Sequence, residues 1–167
     1  MTRAHRCAAF LMLLAIAPMH LGAQAGGAQP RKTVLFVCEH GTVRSILAKL
    51  LFEEYASEIG LDVGAMSRGT KPDSAVPAWM HRNLATDHVT LGNWRPQTLA
   101  AEDLASAAYV VSIDVPTSAT AGAHAPRVQW DGLPSVSADY AVGRDAIKVR
   151  VHQLADSLKR ASAKTTP

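Results

Sequence analysis

A continuous apolar run, Thr33 to Val37, breaks into the loop Cys38-Glu39-His40-Gly41-Thr42-Val43-Arg44-Ser45, and a helical repeat follows at once. No other feature of the chain restricts its fold as much. A strand that is apolar on both faces belongs inside a sheet covered above and below, and a helix following it directly must cross one of those faces. From Ser45 to Ile59 the residues Ile46, Leu47, Leu50, Leu51, Tyr55 and Ile59 recur at helical spacing. Lys49, Glu53, Glu54 and Glu58 occupy the other side, and Gly60 is a natural stop.

The alternation continues. Asp62 to Met66 is expected to form a second strand, closed by turn chemistry in Ser67-Arg68-Gly69-Thr70-Lys71-Pro72. Helices are expected over 78–86 and over Leu99 to Ala107, the latter with Glu102 and Asp103 near its start, where acids suit the helix dipole. Ala108 to Ile113 and Arg127 to Trp130 read as strands three and four. Val142, Ile147, Val151, Leu154 and Leu158 form one stripe on a C-terminal helix. The expected fold is α/β: a three-layer sandwich with a central four-stranded parallel sheet and helices on both faces. Ligands of such sheets sit outside the carboxyl ends of the strands, and Cys38, Ser67, Asp114 and Asp131 each follow a strand at that end.

The first residues differ in character from the rest. Arg3, His5 and Arg6 precede an apolar run from Ala8 to Ala17 and then Ala23-Gln24-Ala25. This pattern is that of a secretory signal peptide over 1–25, cleaved after Ala25, and it implies a secreted or periplasmic product. The apolar stretch is short against the roughly 20 residues needed to span a bilayer, so no stable membrane insertion is expected after cleavage. Residues 26–32 read as a disordered lead, 33–161 as one domain and 162–167 as a flexible tail. Loss of Arg3 and Arg6 takes Lys+Arg from 17 to 15 against 14 acidic residues. A balance so close to neutral argues against nucleic acid as a partner. Cys7 leaves with the signal, and Cys38 remains as an unpaired thiol exported to an oxidising compartment, which calls for a chemical explanation.

The loop supplies one. A short connection between a strand end and a helix start turns successive backbone N–H groups inward, and the helix dipole adds positive potential at the same place. An oxyanion fits there, with Arg44 giving two further parallel donors. The same field favours the thiolate of Cys38, which becomes a nucleophile at neutral pH. A cation such as Arg44 at a helix start opposes the dipole unless an anion is bound, so the two residues support one reading. His40 is either a base or a solvated loop residue, and Asp114 is expected to cap or hydrogen-bond locally. Arg68, beside Ser67 on the neighbouring turn, is either a steering charge for anionic substrate or a plain turn residue. His81, His88, His124 and His152 lack metal-ligand spacing.

The order of these pieces resembles the low-molecular-weight protein tyrosine phosphatase family, which includes thiol-dependent arsenate reductases of the same fold. The likeness runs over most of 33–160: the Cys-to-Arg loop followed by Ser45, the long helix, Ser67-Arg68-Gly69-Thr70, Pro96-Gln97-Thr98-Leu99 before a Glu-Asp helix, and Tyr109-Val110-Val111-Ser112-Ile113-Asp114. It implies that Cys38 attacks phosphorus, that Arg44 and the loop amides of Glu39, His40, Gly41, Thr42, Val43 and Ser45 hold the phosphoryl oxygens, and that Ser45 donates a hydrogen bond to the thiolate. It implies no metal or other cofactor. An aspartate near the last strand would protonate the leaving oxygen and then activate water. Asp131, at the end of strand four, is the choice and Asp139 the reserve.

Several departures shape the expectation. His40-Gly41 stands where family members usually carry Gly-Asn, and Gly41 can adopt the positive φ at no steric cost. The family's Asp-Pro pair is replaced by Trp130-Asp131-Gly132-Leu133-Pro134-Ser135, with Pro134 at the acid's position in strict register, and of the aromatics that usually flank a phosphotyrosine ring only Tyr140 is near. The expected activity is phosphate monoester hydrolysis through a phosphocysteine. The alternatives are an arsenate reductase completed by an external thiol, since no resolving cysteine follows, and a non-catalytic oxyanion-binding protein.

Overall fold

The computed structural model describes residues 31–165. The expected signal peptide, 1–25, and residues 26–30 of the lead lie outside the described residues. Strands β1 (Thr33–Cys38), β2 (Gly64–Gly69), β3 (Tyr109–Ile113) and β4 (Arg127–Trp130) form one parallel sheet in the order β2-β1-β3-β4. Helices α1 (Arg44–Glu58), α2 (Ala78–Thr86), α3 (Ala101–Ser106) and α4 (Tyr140–Thr165) connect and cover them. This is the α/β, three-layer arrangement that the alternating pattern predicts.

β1 is central because nothing on it tolerates water: Val34, Leu35, Phe36 and Val37 are all wholly buried. Successive side chains leave a strand on opposite faces. Val34, Phe36 and Cys38 face a core built with Ile46, Leu47 and Phe52 of α1, Met80 and Leu84 of α2, and Ile147 and Val151 of α4. Leu35 and Val37 face a smaller core with Leu104 of α3, Ala107, Val110 and Val115. Phe36 packs its ring between Phe52 and Trp130, with centroids 5.8 Å away on each side. Cys38 is the last residue of that alternation, so packing of the strand aims its sulfur toward the α1 side at the carboxyl edge.

Several boundaries differ from the sequence expectation, those of β2 and of the C-terminal helix the most. β2 begins and ends later than the predicted Asp62–Met66, and Ser67, Arg68 and Gly69, expected as turn, are strand. Their pairing is dictated by the neighbour: Thr33 to Cys38 match Gly64 to Gly69 residue for residue. The C-terminal helix runs on to Thr165, so residues 162–165 are helical where a flexible tail was expected. Val142, counted in the buried stripe, is 52% exposed and lies in the first turn of the helix that begins at Tyr140. Of the remaining stripe residues, Ile147, Val151 and Leu154 are buried and Leu158 is partly buried against the same core. Among the described residues no helix is long and apolar enough to cross a membrane.

Candidate active site

The loop between β1 and α1 is held from outside by the chain that follows β2. The carbonyls of Cys38, Glu39 and His40 accept hydrogen bonds from the amides of Thr70 (3.0 Å), Lys71 (2.8 Å) and Asp73 (3.1 Å). In a planar trans peptide the N–H points away from its C=O. The amides of Glu39, His40 and Gly41 are therefore turned to the opposite side, and the Gly41 N–H donates to Cys38 Sγ at 3.2 Å. The first-turn amides of α1, which have no partner within the helix, continue that row.

Glycine is required at two places. Gly41 has φ +67°, and a Cβ there would lie 3.0 Å from the Gly69 nitrogen; a Cβ on Gly69 would stand 2.9 Å from the Gly41 nitrogen. Loop and β2 thus meet backbone to backbone. The Gly41 conformation agrees with the sequence expectation. Asp73 adds a clamp that the sequence did not suggest, accepting from Thr42 Oγ1 at 2.9 Å and facing His40 Nδ1 at 3.2 Å.

Inside the loop sits the thiol. Cys38 Sγ lies 3.0 Å from Ser45 Oγ, which itself accepts a hydrogen bond from Ser67 Oγ at 2.9 Å. Because Ser67 fills an acceptor site on Ser45, the Ser45 hydroxyl hydrogen is free to point at sulfur. Ser45 and Ser67 are both buried. The Ser45 hydroxyl and the Gly41 amide thus converge on the sulfur.

Cys38 and Arg44 line one cavity of about 270 Å³, together with Glu39, His40, Val43, Asp114, Ser135, Val136 and Ser137. Cys38 is 5% exposed and forms the floor. Arg44 is one-third exposed and reaches Asp114 Oδ2 with Nη1 at 3.0 Å. A larger cleft of about 680 Å³ lies between α1, α2 and α4, around Asp87 and Arg144, and contains no cysteine.

Other sequence candidates are placed elsewhere. Asp131 is exposed, accepts from Gln129 Nε2 at 2.7 Å and is not among the residues lining the cavity. Asp139 accepts the Val142 amide at 3.1 Å, a helix-capping contact at the start of α4. Arg68, read as either a steering charge or a plain turn residue, forks onto Asp103 with two bonds of 2.8 Å and is not among the residues lining the cavity. Conversely, Asp114 was expected to bond only locally. It does accept the Gly132 amide at 2.9 Å, but its other oxygen faces Arg44 inside the cavity. Its position after β3, the strand beside β1, is the sequence signal that marked it.

A buried sulfur within hydrogen-bond distance of the Gly41 amide and the Ser45 hydroxyl thus lies on the floor of a cavity at the carboxyl edge of a parallel sheet, with an arginine on the wall. Residues 33–129 match the model of the low molecular weight phosphotyrosine protein phosphatase family, and the chain belongs to that family. No curated protein sequence matches it. Among solved structures, a thioredoxin-dependent arsenate reductase of Corynebacterium glutamicum is similar at 25% identity and a TM-score of 0.62, over 80% of this chain and 65% of that enzyme. A low molecular weight protein tyrosine phosphatase from Bacillus subtilis shares 24% identity (TM-score 0.64; 77% of this chain, 97% of that one). The YwlE arginine phosphatase of Geobacillus stearothermophilus shares 18% (TM-score 0.64; 83% and 99%). The likeness therefore spans phosphatases and arsenate reductases alike.

Proposed function

We propose that the chain, exported and released after Ala25, hydrolyses phosphate monoesters by way of a phosphocysteine at residue 38. One observation carries this reading: Cys38 Sγ, on the floor of an open cavity, is met by the Gly41 amide at 3.2 Å and by Ser45 Oγ at 3.0 Å. Donors aimed at sulfur favour the thiolate before attack and the departing thiolate after it. Arg44 and the inward amides would take the equatorial oxygens of the transferred group, where charge accumulates. The wall formed by Ser135, Val136 and Ser137 carries no aromatic residue, which favours small or aliphatic esters over a phosphotyrosine ring.

Purified protein is expected to release p-nitrophenol from its phosphate ester. Cys38→Ser is expected to lower turnover by more than about 10³-fold while keeping competitive binding of inorganic phosphate. Retained turnover in the Ser variant would remove Cys38 as the nucleophile.

A second reading is supported by the likeness to the arsenate reductase of Corynebacterium glutamicum. Cys38 is the only cysteine of the described residues, so arsenate reduction would need an external thiol to resolve the oxidised sulfur. Thiol-dependent arsenite formation without ester hydrolysis would select that reading. Oxyanion binding with neither reaction would make the protein a binding module.

A further inference from the structure

Phosphate ester hydrolysis needs a proton for the departing oxygen, and the residue chosen from the sequence for that task does not face the nucleophile. The Asp131 carboxylate meets Gln129 outside the cavity, and Pro134 and Ser135 have no acidic proton to give. Three other titratable groups line the cavity besides Cys38 and Arg44: Glu39, His40 and Asp114. Glu39 is half exposed and faces Lys71 and His40. His40 is 60% exposed, with Nδ1 toward Asp73 and Nε2 toward Glu39, so both ring nitrogens already face carboxylates.

Asp114 differs from both. Its backbone is in the left-handed region, φ +48°, uncommon for a residue with a side chain and tolerated best by Asp and Asn. One carboxylate oxygen is fixed by the Gly132 amide at 2.9 Å and the other rests on Arg44 Nη1 at 3.0 Å. Its side chain is 26% exposed, whereas Cys38 is 5% exposed. The nucleophile thus lies deep and the carboxylate nearer the opening. In-line displacement places the leaving oxygen on the side of phosphorus opposite to sulfur, hence toward that opening.

We infer that Asp114 is the general acid and base of this site, in place of an aspartate on the loop after β4; the inference rests on the phosphatase reading above. When a phosphoryl group enters, the Arg44 donors turn to its oxygens, and a carboxylate left beside that negative charge takes up a proton. Cys38 Sγ then forms a bond to phosphorus as the ester P–O bond breaks, and the departing oxygen takes its electron pair and the Asp114 proton to leave as an alcohol. In the second step Asp114 accepts a proton from water, the water oxygen bonds to phosphorus, and the S–P bond breaks to return the thiolate and free phosphate.

The test compares two esters, 2,4-dinitrophenyl phosphate, whose leaving oxygen departs unaided, and phenyl phosphate, whose leaving oxygen needs a proton. Asp114→Asn is expected to lower kcat/KM for phenyl phosphate by about 10²-fold or more, to affect the dinitrophenyl ester far less, and to retain inhibition by inorganic phosphate. Asparagine suits the same backbone and keeps the oxygen that accepts the Gly132 amide. Asp131→Asn is expected to leave the ratio between the two esters unchanged. Equal losses on both esters with lost phosphate inhibition would reduce Asp114 to a positioning partner of Arg44 and overturn the inference, as would a leaving-group effect in Asp131→Asn. Wild-type protein is itself a probe that needs no variant: a steep fall from the dinitrophenyl to the phenyl ester would mean that no acid operates. Wild-type inactivity on both esters would instead overturn the phosphatase reading.

Discussion

At the scale of single residues, chemistry that looks alike in the sequence is sorted by what each side chain meets. Arg68 and Arg44 are both cations at the carboxyl edge of the sheet. Arg44 lines the cavity, whereas Arg68 is spent on Asp103, which also accepts the Ala100 amide at 3.0 Å. Burial disfavours the charged form of Asp103, but the Arg68 fork and the Ala100 amide outweigh it and hold the carboxyl below its ordinary value. A lowered value in the fold means stability that is complete above the unfolded carboxylate range, about pH 4, and lost as pH falls through the folded value. Asp103→Ala is expected to cost about 2–3 kcal/mol at pH 7. That difference should shrink in urea titrations at pH 3; a pH-independent loss would refute the ionic account.

At the scale of elements, the cavity wall depends on one helix glycine. A Cβ on Gly143 of α4 would lie 2.7 Å from Val136 Cα and 2.9 Å from its nitrogen, so the Ser135–Ser137 segment rests on the bare backbone of α4. Alanine is the better helix former by about 1 kcal/mol. Overpacking against a backbone that must shift costs about 1–3 kcal/mol and outweighs that gain. Gly143→Ala is therefore expected to lower the Tm and raise KM for phosphate esters by moving Ser135 and Ser137; a more stable variant would show the contact to be loose. The same element level explains the boundary of β2. Its own residues read as turn from Ser67 onward, but pairing with β1 continues to Gly69 because the N–H and C=O groups of the central strand need partners.

At the scale of the whole molecule, Asp87, just past α2, clamps α4, accepting from Tyr140 OH at 2.5 Å and Arg144 Nη1 at 2.7 Å. Burial, and next the bond to Asp87, push the Tyr140 phenol well above its ordinary value. A raised value in the fold means stability fully present below the unfolded phenol value, about pH 10, and lost as pH rises through the folded one. Absorbance titration is expected to find Tyr140 un-ionised well past pH 10, and Tyr140→Phe to cost about 1–2 kcal/mol at pH 7. Ionisation of Tyr140 near pH 10 would contradict the clamp. No sequence pattern joins Asp87 to Tyr140, because the two are 53 positions apart. By contrast, the layer architecture and the Cys38-to-Ser45 cradle were legible in the chain alone, since both follow from local signals: continuous apolar runs alternating with helical apolar spacing, and a glycine where φ must be positive. What only the tertiary structure decided was which carboxylate lines the cavity with Cys38. Asp114 and Asp131 both end strands at the same edge, and only the path of the backbone after each strand turns one toward Arg44 and the other toward Gln129.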